Sequence, residues 1–208
     1  ARWFCGIRHR AIGLENVPGS YRLLVQKGAV LDKLGQLVEA EEILREAGTL
    51  QHDNSIALLS LAVVLTHAGK VPEAERTLAS AITQFPQNHY MHYYRGKLLM
   101  QMAGGRADTE KLKAQAIKEF NQSVRYNPSH ADSYYQLATL YSTALPNLEE
   151  DALLKCLKLD AHHPAAEYSL ARLYLRTGRK TKGEALLTQF KADQRSREIQ
   201  QEKQLRID

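Results

Sequence analysis

A repeat of 34 residues is the feature that most constrains how this chain folds. The apolar residues of segment 55–88 form two runs on either side of Gly69: Leu58, Leu61, Ala62 and Leu65, then Ala74, Leu78 and Ala81. One repeat length earlier, Lys27 replaces Leu61, and the other equivalent places hold Leu24, Gly28, Leu31, Gly35, Ala40, Leu44 and Ala47. Apolar spacings of three to four residues are typical of helices rather than strands. Each unit is therefore predicted to be a pair of helices joined by a short turn.

The same spacing continues along the chain and predicts five units. We place them at residues 21–54, 55–88, 89–130, 131–163 and 164–197. Residues 1–20 carry an apolar stripe and are predicted to be the last helix of a preceding unit. Residues 198–208 are polar and are predicted to form a capping helix or tail, because a terminal repeat needs a polar outer face. Helix pairs stacked in this way predict an all-α fold, a right-handed α-solenoid.

The third unit departs from the repeat length, since it has 42 residues instead of 34. Its eight extra residues fall between its two helices, where Gly104 and Gly105 give the backbone conformational freedom. Length changes in solenoids occur in loops. We therefore expect a mobile loop at 103–112 that the chain does not need for folding.

The recurring residues resemble those of the tetratricopeptide-repeat family. That family has a Leu-Gly pair and a Tyr three residues later in its first helix, then Ala, Phe and a closing Pro in its second. Here Leu137-Ala138 with Tyr141 matches the first part, and Ala116, Phe120 and Pro128 match the second. The resemblance covers nearly the whole chain. It implies that the first helix of each pair lines a concave face that binds another protein.

Ten residues are predicted to form the partner-binding surface on the first helices. They are Val25, Leu59, Val63, Tyr90, Tyr93, Lys97, Tyr135, Tyr168, Arg172 and Arg176. Tyrosine is enriched in binding surfaces because it is amphipathic and has few rotatable bonds. The alternative is that these tyrosines only pack between helices. Because cations flank the aromatic part, a partner segment with apolar and acidic residues is expected.

One subtype of the family is not implied. Members that bind chaperone C-terminal tails use Lys and Asn on successive first helices to clamp a carboxylate. The matching positions here hold Val25 and Ala29, Ser60 and Val63, and Tyr90 and Tyr94. A chaperone C-terminal tail clamp is therefore not expected.

Motifs of catalysis are missing from the sequence. There is no Gly-rich phosphate loop, no His-Glu-x-x-His and no Gly-x-Ser-x-Gly. Cys5 and Cys156 do not have the spacing of a metal motif. Five histidines fall at or near unit junctions: His52, His89, His130, His162 and His163. Different junctions lie too far apart to share one ion. We expect no enzyme activity, no cofactor and no metal site.

The sequence also bears on whether the chain binds nucleic acid. The net charge is +5, but related repeats that read RNA use a recurring polar code, which is missing here. Nucleic-acid binding stays an alternative, as does a non-catalytic accessory domain of a larger enzyme or of a secretion or assembly complex.

No run approaches the roughly 18 apolar residues of a membrane span. The chain opens on Ala1, so trimming upstream is expected. A soluble domain is predicted, cytoplasmic, or periplasmic or exported if a signal was removed.

Overall fold

The protein is an all-α repeat fold, as the sequence predicts. The computed structural model describes residues 20–50, 54–104, 108–142 and 144–205 of the 208, and all regular secondary structure in these ranges is helical. The helices are α1 Tyr21–Lys33, α2 Leu37–Leu50, α3 Ser55–His67, α4 Val71–Gln84, α5 His89–Ala103, α6 Thr109–Tyr126, α7 Ala131–Tyr141, α8 Pro146–Leu159, α9 Pro164–Arg176 and α10 Lys180–Leu205. The helix predicted within 1–20 lies outside the described residues.

The chain divides into two compact units, Ala1–Tyr126 and Asn127–Asp208. The first unit contains the helix pairs α1/α2, α3/α4 and α5/α6, and the second contains α7/α8 and α9/α10. In each pair the first helix packs against the helix that follows it. The apolar stripes of the two helices face each other inside each pair. Each helix is stabilised because it buries this stripe and leaves its polar residues facing outward.

The core of the first unit runs through five helices. It consists of Leu31, Ala40, Leu44, Leu61, Ala62, Val64, Leu65, Ala74, Leu78 and Leu98, all at most 6% exposed.

Small residues let the two helices of a pair approach closely. An added Cβ on Gly28 would lie 2.5 Å from Cγ of Leu44, and one on Gly96 would lie 2.7 Å from Cε1 of Phe120. These two positions therefore fix the helix separation in the first and third pairs.

Three of the helix pairs are joined by the same three-residue turn. Gly35, Gly69 and Gly178 have φ angles of 75°, 73° and 80°, the left-handed region that favours glycine. In each turn the amide after the glycine donates to the carbonyl five residues before it, as from Gln36 to Leu31 at 2.9 Å. This is the Schellman ending of a helix. It closes α1, α3 and α9 and starts the second helix at once.

The connection in the third pair is shorter than expected. The helices α5 and α6 have 15 and 18 residues, whereas α3 and α4 have 13 and 14. Much of the extra length therefore extends the two helices. Ala103 and Leu112, which bound the expected loop, are 5% and 6% exposed. The predicted bounds of the loop, 103–112, are therefore too wide, because Ala103 and residues 109–112 are helical and both ends are packed.

Two helix boundaries of the second unit complete the description. Pro146 is the first residue of α8, where the missing N–H has no helical partner to lose. The last helix has 26 residues and passes through position 197 without a break, whereas its partner α9 has 13. The polar C-terminal segment is thus continuous with the second helix of the fifth pair.

Candidate functional site

A groove in the first unit is the candidate site. It consists of two adjoining cavities of about 290 and 190 Å³. The larger is lined by Ala62, Val63, Thr66, His67, Leu78, Tyr94, Lys97, Leu98 and Gln101. The smaller is lined by Ala29, Asp32, Leu44, Leu59, Ser60, Val63, Val64 and Tyr94. Because Val63 and Tyr94 belong to both linings, we treat the two cavities as one surface and call it the α1–α3–α5 groove.

The repeat explains which side chains reach this groove. The first helices α1, α3 and α5 supply its walls, while Leu44 and Leu78 come from α2 and α4 below. Residues one turn apart lie on one face of a helix, so Ser60, Val63 and His67 of α3 share a wall. One repeat length later, Ser60 and Val63 correspond to Tyr94 and Lys97 of α5. The groove is therefore built from repeated positions filled by different side chains.

Tyr93 occupies a different place from its neighbour Tyr94. It is 9% exposed and lies against Phe120 of α6, with 6.0 Å between the ring centroids. Tyr94 is half-buried, lines both cavities and meets the Tyr93 ring edge-on at 5.3 Å. The predicted anchor Tyr93 thus packs between helices, and Tyr94 presents the aromatic surface to the groove.

Charged groups stand at two sides of the groove. The ammonium of the exposed Lys97 lies 5.6 Å from the Tyr93 ring centroid and 5.7 Å from that of Tyr94. On the α1 side, Nδ1 of His67 lies 2.7 Å from Oδ1 of Asp32. The groove thus has an apolar floor, a cation at one wall and an acid–imidazole pair at the other. Such a surface can orient a partner segment that contains both apolar and charged residues.

The other predicted residues of the first unit are spread over several environments. Leu59 and Val63 are half-buried in the groove lining. Val25 is partly buried and packs against the core. Tyr90 is 46% exposed, and its ring packs against that of His89 with 4.0 Å between centroids. The aliphatic part of the predicted surface therefore lies at the groove itself.

In the second unit, the predicted residues already have contacts of their own. The half-buried Tyr135 lies against His163, with ring centroids 4.9 Å apart. Arg172 lies over the Tyr168 ring at 5.9 Å, and Tyr168 is 44% exposed. The guanidinium of Arg176 donates to the buried carboxylate of Glu149. Tyr168 and Arg172 are the members of this set that present an exposed aromatic and cationic surface.

A buried charge network supports α5 behind the groove. Both ring nitrogens of His92 face acceptors, Oε2 of Glu119 at 2.7 Å and the Pro86 carbonyl at 2.9 Å. Arg95 donates to the other oxygen of Glu119 at 2.8 Å. Burial alone would lower the pKa of His92, but the two hydrogen bonds outweigh it and the pKa is raised. With both ring nitrogens hydrogen-bonded, His92 is not available as a metal ligand.

The surroundings of Cys156, His130 and Ser133 in the second unit do not favour nucleophilic catalysis by these side chains. Burial raises the pKa of the Cys156 thiol to about 12, so this sulfur stays protonated at neutral pH. His130 lies 2.7 Å from the hydroxyl of Ser133, and burial lowers the pKa of its ring. These groups have the surroundings of packing residues.

Among the helices of the described ranges, none combines the length and the apolar character that crossing a membrane requires.

Comparison with known proteins agrees with this architecture. Residues 31–98 match the family model of the tetratricopeptide repeat. In solved structures, the chain is similar to a thermophilic tetratricopeptide-repeat protein of Thermus thermophilus, with a TM-score of 0.67, 20% identity, and coverage of 82% of this chain and 90% of that one. For PilF of Pseudomonas aeruginosa the values are 0.73, 16%, 83% and 75%. For MamA of Desulfovibrio magneticus they are 0.68, 18%, 85% and 96%.

A longer human protein is also similar in sequence. The protein O-mannosyl-transferase TMTC3 is 24% identical over 174 residues, which are 83% of this chain. The chain spans 19% of the length of that relative.

The fold and groove together are those of a helical-repeat protein. The fold is the one found in solved tetratricopeptide-repeat structures, and the match to the family's model covers residues 31–98.

Proposed function

We propose that this protein is an interaction scaffold that binds a segment of a partner protein in the α1–α3–α5 groove. The observation that carries the proposal is the pair of adjoining cavities that share Val63 and Tyr94. A concave, mostly apolar surface with a few polar groups is the usual form of a binding site. Cys156, His92 and His130 sit in packing surroundings, so we propose no catalytic activity of the chain's own.

The groove supports a partner segment that combines apolar and acidic residues. Leu59 and Val63 offer apolar contact area, and an aromatic ring is available in Tyr94. An acidic side chain next to the apolar ones would meet the exposed ammonium of Lys97. Such a charge sets orientation and the association rate, whereas the aromatic and aliphatic contacts supply most of the affinity.

Selection from a random peptide library displayed on phage tests this proposal with peptides of every composition. Peptides selected on the wild-type chain are measured against Tyr94→Ala, Lys97→Ala and the control Arg125→Ala, which removes an exposed cation from α6. A central aromatic contact typically contributes about 2 kcal/mol or more, roughly a 30-fold change in Kd. We expect that loss for Tyr94→Ala, a smaller loss for Lys97→Ala, and no change for Arg125→Ala.

The selected sequences are a second readout. We expect apolar residues spaced for an extended strand or one helical face, with at least one Asp or Glu. Lys97→Glu should shift the selection from acidic to basic peptides. If Tyr94→Ala keeps its helical circular dichroism signal and binds every selected peptide as the wild type does, this groove is not the binding surface. The exposed Tyr168 and Arg172 of the second unit then become the first candidates.

A second candidate function is that of a non-catalytic accessory domain in a larger enzyme. The similarity to the human O-mannosyl-transferase favours it, because it extends over 83% of this chain but only 19% of that protein. The two functions are compatible, since an accessory domain of this type would hold the enzyme's protein substrate. The isolated chain should then bind acceptor peptides but transfer no mannose to them. Transfer by the isolated chain would contradict both proposals.

A further inference from the structure

Three potential metal ligands from separate parts of the second unit lie together. His162 stands in the turn before α9, Glu167 lies on α9, and Asp193 lies on α10. One ligand atom from each residue lies within 4.8 Å of the other two. One imidazole nitrogen and two carboxylate oxygens are donors that divalent transition ions accept readily.

The surroundings of Glu167 give a second reason to look for a cation here. This glutamate is only 8% exposed, and its Oε2 atom has no hydrogen-bond partner among the described residues. Leaving a buried polar atom without a partner is costly, and the cost is larger for a charged group. The second carboxylate, from Asp193, lies at the same place. A bound cation would compensate the buried charge of Glu167.

Helix packing explains why these residues meet. Close approach at Gly183, where an added Cβ would lie 2.7 Å from Cγ of Leu175, sets the start of α10 against the end of α9. Further along α10, Phe190 lies near Tyr168 of α9, with 5.8 Å between ring centroids. The two helices therefore run in opposite directions. Asp193, about one turn after Phe190, reaches the first turns of α9, where Glu167 lies.

We propose that His162, Glu167 and Asp193 bind a divalent transition-metal ion, with Zn²⁺ as the probe. In an equilateral triangle with sides of 4.8 Å, the centre lies about 2.8 Å from each corner. Bond lengths of about 2.0–2.2 Å then need each ligand to move inward by at most about 0.6–0.8 Å. Small rotations of the side chains of His162 and Asp193 supply that movement. Three protein ligands leave at least one coordination position for water.

The ion would have a structural effect on the last helix pair. It would join the turn before α9, α9 itself and the middle of α10 at one point. Because the unfolded chain does not hold these ligands together, metal binding adds to the stability of the folded unit. The site lies in the second unit and is independent of the groove function proposed for the first.

Isothermal titration calorimetry of the full chain with ZnCl₂ tests the proposal. We compare wild type, Glu167→Gln, Asp193→Asn and the control Glu184→Gln, which removes an exposed carboxylate from the same helix. Glu167→Gln keeps the side-chain shape and removes only the charge. Binding of Co²⁺ followed by visible absorption is the second readout, because its d–d bands report protein ligands rather than hydrated ion.

One Zn²⁺ per chain is expected for wild type and for Glu184→Gln. Glu167→Gln and Asp193→Asn should each weaken this binding at least 10-fold and reduce the Co²⁺ absorption. Zn²⁺ should raise the melting temperature of wild type but not that of Glu167→Gln. No binding by the wild type would overturn the proposal. Equal binding by wild type and both variants would overturn it as well, since the ion would then be held elsewhere.

Discussion

Replacing Gly28 by alanine tests the close packing on which each helix pair depends. The new Cβ would lie 2.5 Å from Cγ and 2.7 Å from Cδ2 of Leu44, whereas carbon atoms in good contact are about 3.5–4.0 Å apart. Leu44 is fully buried in the core of the first unit, so any movement of its side chain disturbs the packing there. The substitution forces one of the two helices or the Leu44 side chain to shift by about 1 Å.

The expected magnitude follows from two opposing terms. Overpacking of this kind costs about 1–3 kcal/mol, and we take the upper half because the clash is with the branching carbon of Leu44. Alanine in place of glycine inside a helix contributes about 0.5–1 kcal/mol in favour of folding. Gly28→Ala should therefore lower the free energy of unfolding by about 1–2.5 kcal/mol.

Gly48 of α2 supplies the matched control. It is also helical, but an added Cβ has no neighbour within 4 Å among the described residues. Gly48→Ala should therefore raise the free energy of unfolding by about 0.5–1 kcal/mol, so the same substitution changes sign between the two sites. Urea unfolding followed by far-UV circular dichroism measures both. The double variant Gly28→Ala/Leu44→Ala should lose less free energy of unfolding than the two single variants lose together. If Gly28→Ala stabilises the protein as much as Gly48→Ala does, the packing argument is wrong.

Three further predictions concern charge, thiol reactivity and the third pair. Because the pKa of His92 is raised in the folded state, the protonated ring stabilises the fold. This stabilisation is fully present below the unfolded pKa of about 6.5 and is lost as the pH rises through the folded-state pKa. The stability difference between wild type and His92→Gln should therefore be larger at low than at high pH in urea unfolding. In a Cys5→Ser background, iodoacetamide should label Cys156 only after denaturation. Deleting 103–112 should lower the melting temperature strongly, because losing a buried leucine such as Leu112 alone typically costs about 2–5 kcal/mol.

Most of the fold could be predicted because the repeat encodes it locally. Leucines and alanines at helical spacing mark the buried faces, and Gly35 and Gly69 mark turns that need a positive φ. The exception was the third pair. Gly104 and Gly105 suggested a flexible loop, but the sequence contains no measure of how far a helix extends into a longer connection. Leu112 was the missed signal, because it continues the apolar stripe of Ala116 and Phe120 one turn earlier.

The candidate site was predicted in part. Leu59, Val63 and Lys97 line the α1–α3–α5 groove, but the prediction placed Tyr93 there and omitted Tyr94. The two tyrosines are adjacent, so a shift of one residue in helical phase exchanges the buried and the presented ring. Stepping 34 residues from Ser60 leads to Tyr94, and this was the available signal. Whether the ten predicted residues bind a partner stays a prediction.

The cluster around Glu167 could not be predicted from sequence. Its three residues are spread over the chain from 162 to 193, and their meeting depends on how α10 packs along α9. Such a juxtaposition has no local pattern, since each residue alone is typical of a solvated helix or turn. We expected no metal site because histidines at different junctions are far apart. One histidine with carboxylates from the two following helices is a different arrangement, which that distance does not exclude.

The unequal lengths of the last two helices have a consequence for how the protein exchanges its amide protons with solvent. At 1.5 Å per residue, α10 is about 39 Å long and α9 about 20 Å, so about half of α10 extends beyond its partner. A helical stretch of that size is marginal without packing. Amides from about Gly183 to about Phe190 should exchange only when the pair opens, whereas those of the last three turns should exchange by fraying. Protection along one helix would thus fall in a gradient, with Asp193 near its boundary.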